Sequence, residues 1–103
     1  MPKYLIEREL PGVGSLGVER MSEVARRSND VLRSLGPQIQ WVQSYVTANK
    51  MTCVYIAPDA DTVREHAGRG GFPADSVEEI LMVVDPTTEA GAVYVTPAAR
   101  LPA

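Results

Sequence analysis

The side chains able to do chemistry in this sequence are few. His66 is the single histidine, set in Arg64-Glu65-His66-Ala67, and Cys53 is the single cysteine. An imidazole here can hold a borderline metal such as Ni2+ or Zn2+, or titrate near neutral pH. No second histidine stands at i+4 and no Cys-x-x-Cys pair occurs, so no metal motif is complete locally. The plainer alternative is a partly shielded histidine at a helix boundary, hydrogen-bonded to backbone. Cys53 falls mid-run in Met51-Thr52-Cys53-Val54-Tyr55, where a packed thiol is the ordinary reading. A Cys-His nucleophile pair would need a third, orienting group that the sequence does not offer. Glu78 and Glu79 are adjacent in a strand-like run, which turns them to opposite faces and prevents joint acid-base work. Gly68, Gly70 and Gly71 follow a helix instead of opening one, so they stop that helix and do not cradle phosphate. Nothing here reads as an assembled enzyme active site.

These residues need elements to place them. Residues 3–8 (KYLIER) read as a first strand, ended by Leu10-Pro11-Gly12. From Val18, the residues Met21, Val24, Ala25, Val31, Leu32 and Leu35 recur at three- and four-residue spacing with arginines opposite, which predicts an amphipathic helix ended by Gly36-Pro37. Residues 39–47 and 51–57 form a hairpin about Ala48-Asn49-Lys50. Asp59 caps a second helix that carries His66 and ends in the glycines. Residues 76–84 (SVEEILMVV) give the last strand. The order is βαββαβ, an α+β ferredoxin-like arrangement: an antiparallel four-stranded sheet with both helices on one face. The domain is expected over residues 1–88. Residues 89–103, with Pro97 and Pro102, form a flexible C-terminal extension in which Ala92-Val93-Tyr94-Val95 can add an edge strand.

The hairpin register decides which side chains share a face. A three-residue loop aligns Val42 with Ile56, Ser44 with Val54 and Val46 with Thr52, giving an apolar face to lie under the helices. The other face then carries Trp41, Gln43, Tyr45, Cys53 and Tyr55, with Met51 near the turn. A bare sheet face of that composition is an interface or ligand groove, and a two-fold homodimer is the expected occupant.

Composition sets the outer limits. With 103 residues, 45% hydrophobic and 22% charged, the chain is one ordinary globular domain. A net charge of -3 without a basic block argues against nucleic acid. No apolar run reaches the ~20 residues that cross a bilayer, and the start of the chain has no export signal, so a cytoplasmic location is expected. A lone cysteine fits a reducing compartment.

Four stretches carry a resemblance. They are Tyr4-Leu5-Ile6-Glu7-Arg8-Glu9-Leu10-Pro11-Gly12, then residues 35–46 (LGPQIQWVQSYV), then Cys53-Val54-Tyr55-Ile56-Ala57-Pro58-Asp59, and last Arg64-Glu65-His66-Ala67 with Gly71-Phe72-Pro73. In order and spacing they resemble a family of small bacterial nickel-binding, ferredoxin-like proteins of otherwise unknown function, over about residues 4–88. The resemblance implies a homodimer and Ni2+ binding without an established catalytic activity. His66 and Cys53 match the family's pattern. Where relatives often have His-Ser-Tyr-Val, this chain has Gln43-Ser44-Tyr45-Val46, an amide in place of an imidazole and a feeble nickel ligand.

Two classes of function follow. The first is a metal-binding or metal-buffering dimer in which His66, Cys53 and Glu65 supply ligands. The alternative is a small-molecule-binding protein or enzyme with a cavity over the bare sheet face, lined by Glu7 or Arg8, Gln43, Tyr45, Cys53 and Tyr55. A convergent polar cavity favours the latter and a surface cluster of His with Glu or Asp the former. A plain interaction domain would show neither.

Overall fold

A computed structural model describes residues 1–96. Strand β1 (Lys3–Glu9) leads through a 3-10 turn at Val13–Ser15 into helix α1 (Gly17–Leu35). The hairpin β2 (Gln40–Val46) and β3 (Lys50–Ile56) follows, then α2 (Ala60–Gly70) and β4 (Ser76–Glu79). The sheet order is β2-β3-β1-β4 and every pairing is antiparallel. This α+β arrangement is compatible with the expected ferredoxin-like fold.

Burial alternates along the central strands. Tyr4, Ile6 and Arg8 of β1 and Met51, Cys53 and Tyr55 of β3 point inward and are buried, as period-two geometry requires. All but Arg8 share a core with Val63 of α2, and Met21, Leu32 and Leu35 of α1 pack against it, so both helices cover the same sheet face. Asp59 caps α2 by accepting from the Thr62 amide at 2.8 Å, and the Thr62 hydroxyl and amide together hold its carboxyl below the usual range.

The hairpin departs from the expected register. Val46 pairs with Met51 and Thr47 N–H donates to the Lys50 carbonyl at 2.9 Å, leaving the two-residue loop Ala48-Asn49. Ser44 therefore opposes Cys53, and both face inward. Farther along, the pairing jumps from Gln43 with Val54 to Trp41 with Tyr55, so Val42 is the extra residue of a bulge. The bulge returns Trp41 to the helix side. The predicted bare-face cluster of Trp41, Cys53, Tyr55 and Met51 is thus inside, and only Gln43 and Tyr45 of that set lie on the open face.

The last strand is also shorter than predicted. β4 stops at Glu79, and a separate two-residue strand, β5 (Met82–Val83), pairs with β6 (Tyr94–Val95) beyond a 3-10 turn at Pro86–Ala90. The expected tail strand forms, but in its own ribbon and not on the main sheet. Thr96 seals it, donating its amide to Leu81 O at 3.0 Å and its hydroxyl to Glu79. Residues 97–103, the rest of the predicted extension, lie outside the described residues. No helix among the described residues is long and apolar enough to cross a membrane.

Candidate functional site

Helix α1 is unusual for a core helix because its only buried residue is a serine, Ser28. Met21, Val24 and Ala25, which its spacing aims at the sheet, are only half-buried. The reason is a cavity of about 450 Å³ between α1 and the helix-facing side of the sheet. Its floor comes from Arg8, Met51, Cys53, Tyr55, Trp41 and Ser44, its roof from α1, and its ends from the loop at Leu10–Val13 and from Gly71-Phe72-Pro73.

The end wall is built by the glycine cluster. Gly71 takes φ 70°, and its amide and that of Phe72 donate to Gly68 O at 3.3 Å and Ala67 O at 2.9 Å, the paired bonds of a Schellman stop. The stop folds Phe72 back over Gly70. A Cβ on Gly70 would lie 2.2 Å from the Phe72 ring, so the ring occupies space that only glycine leaves. Phe72 then stacks on His66, with ring centroids 5.8 Å apart.

Polar groups meet at this wall. Arg8 is 3% exposed; its Nη1 donates to Pro73 O at 3.0 Å and its Nη2 to the Tyr55 hydroxyl at 3.5 Å. Its guanidinium also lies over the Phe72 ring at 5.6 Å, and that of Arg27 at 4.8 Å. Burial pushes the Tyr55 phenol above its ordinary range, partly offset by the Arg8 charge. The Trp41 indole donates to Ser44 Oγ at 2.9 Å, which fixes the ring in the cavity floor.

His66 is not at a boundary but fully buried behind Tyr55 and Phe72. Its Nε2 shares a 3.1 Å hydrogen bond with Ser28 Oγ, and its Nδ1 has no partner among the described residues. Burial holds the imidazole below its usual pKa, the Ser28 bond opposes this and the nearby Arg8 charge adds to it.

The sequence-predicted sets are only partly brought together. Of the metal set, His66 and Cys53 are both internal, but Glu65 is on the outer side of α2, paired with Arg69. Among the described residues, no three His, Cys, Asp or Glu side chains converge to hold a metal ion. One chain's described residues therefore do not fit a nickel centre. Of the ligand-pocket set, Arg8, Cys53 and Tyr55 do line a cavity, on the helix side. Glu7, Gln43 and Tyr45 are on the opposite face, where Glu7 lies 3.9 Å from Lys50 Nζ and Gln43 donates to the Tyr45 hydroxyl. Ser28, Trp41, Ser44 and Phe72 were missed as site residues. The Gly-x-Gly-Gly-Phe run was the available signal for Phe72.

No curated protein matches the chain. A crystal structure of SCO4226 from Streptomyces coelicolor A3(2) shares the fold with a TM-score of 0.65 at 15% identity, covering 76% of this chain and 94% of that one. Residues 4–80 match the family model described as nickel responsive protein SCO4226-like. With three quarters of its length inside that match, the chain belongs to the SCO4226-like family of nickel responsive proteins.

Proposed function

We propose that this chain is a small-molecule-binding protein whose ligand sits in the cavity between α1 and the sheet. One observation carries the reading: a 19-residue helix leaves its apolar face half-buried over a cavity of about 450 Å³, within the size range of small-molecule sites. An occupant with an apolar body would complete the burial of Met21 and Val24, at about 1 kcal/mol apiece.

The test is titration with the neutral dye N-phenylnaphthylamine, read by dye fluorescence and by quenching of Trp41. Saturable one-to-one binding is expected in the wild type and at least tenfold weaker binding in Ala25→Phe, whose ring fills the cavity. Absence of saturable binding, or undiminished binding by folded Ala25→Phe, would overturn the reading.

Nickel binding is the second reading, favoured by the family description and by the Nδ1 of buried His66, which has no partner among the described residues. It requires donors beyond those that one chain's described residues bring together, such as a second copy in a homodimer would add. Calorimetric titration with Ni2+ decides it. Tight binding that is lost in His66→Ala and Cys53→Ala supports the metal reading, and no heat from the wild type removes it.

A further inference from the structure

Among the described residues, Arg8 is a buried cation without a counter-charge. The ion pairs among the described residues are Arg33 with Asp30, Lys50 with Glu7 and Glu9, Arg64 with Asp61, and Arg69 with Glu65, and none includes Arg8. Its protein acceptors are a carbonyl and a phenol, both neutral, and its remaining N–H donors have no protein partner among the described residues. A guanidinium presents five donors in a planar fork matched to a carboxylate. Holding one in a mainly apolar wall without a counter-charge is costly, and its two neutral acceptors and the stacking on Phe72 offset that cost only in part. The position also opposes the strand's own pattern, since Tyr4 and Ile6 share its face and an apolar residue would continue it.

We propose that Arg8 is the anion anchor of the cavity, and that the ligand is an amphipathic monocarboxylate. Its carboxylate takes the free side of the Arg8 fork, and its apolar body lies between α1 and the Trp41 side of the sheet. Arg27, exposed beside Phe72, adds positive potential on the α1 side. Charge and shape point the same way: a cation at one wall, and a chamber otherwise lined mainly by apolar and aromatic side chains. The inference rests on the cavity-binding reading but narrows it to one ligand class. Carboxylates with aliphatic and with aromatic bodies both meet the description.

The experiment is displacement of N-phenylnaphthylamine from the intact chain by octanoate and by phenylbutyrate, each against its matched alcohol, at pH 7.5 and low salt. At least one carboxylate should displace the dye tenfold or more better than its alcohol, and which one does so identifies the body that fits. In Arg8→Gln the ratio should fall close to one, while Arg8→Lys should keep part of it. Equal displacement by acid and alcohol in the wild type overturns the proposal even when the dye binds. So does a preference that survives in folded Arg8→Gln. If Arg8→Gln does not fold, the wild-type ratio decides alone. If the dye itself fails to bind, the cavity reading falls and this inference with it.

Discussion

At the residue scale, His66 and Gly70 show how burial sets behaviour. His66 is held neutral inside, while in the unfolded chain it protonates near pH 6.5. Below that pH the unfolded state binds the extra proton and the folded state does not, so stability falls as pH drops through the window between the unfolded and the lowered folded pKa. The groups facing His66 are Arg8 from β1, Tyr55 from β3, Ser28 from α1 and Phe72 beyond α2, and none is a carboxylate that would oppose this sign. Melting temperature should therefore decline between pH 6.5 and 5, and His66→Phe should flatten that slope. Gly70→Ala drives a methyl into Phe72 and should destabilise the fold by about 1–3 kcal/mol. Chemical denaturation measures that cost, and dye affinity should fall with it because Phe72 forms the cavity wall.

At the element scale, what was legible in the sequence is what depends on local chemistry. Proline and glycine punctuation ended β1 and both helices where expected, and Asp59 was recognisable as a cap because its side chain precedes a periodic run. The faces of the hairpin were not legible. Both registers bury some apolar residues, and the bulge at Val42 switches the alternation in the middle of β2, so no single period describes the strand. The two-residue loop put Met51, Cys53 and Tyr55 on the helix side, and the bulge brought Trp41 to join them, which moved the candidate pocket from the open face. Because Val42 is the extra residue, its deletion should leave Trp41 facing inward, and tryptophan emission should stay at the wild-type wavelength. A red shift would show that Trp41 does not keep its inward pairing with Tyr55 once Val42 is gone. Gly71→Ala strains the positive φ of the α2 stop and should cost about 1 kcal/mol in thermal or denaturant unfolding.

At the scale of the whole molecule, the inverted faces remove the original argument for a homodimer. The open sheet face carries Lys3, Glu7, Glu9 and Glu78 between its apolar residues, a mixed surface more suited to water. An unbroken run of exposed apolar residues instead lies at Leu81, Met82, Val83 and Val84, at the β5 ribbon. If two copies associate, that strip is where they should do so. Sedimentation at micromolar concentration should then show a dimer that Met82→Glu converts to monomer, and a dimer unaffected by Met82→Glu would place the contact elsewhere.

The cavity itself is most directly tested by the methionine methyl groups, because their positions divide the surface cleanly. Met21 and Met51 line the cavity from opposite walls, whereas Met82 and Met1 are exposed outside it. With methyl-labelled methionine, addition of N-phenylnaphthylamine or of the preferred carboxylate should shift the resonances of Met21 and Met51 and leave those of Met82 and Met1 in place. Shifts confined to Met82 or Met1, or none at saturating ligand, would contradict a binding site between α1 and the sheet.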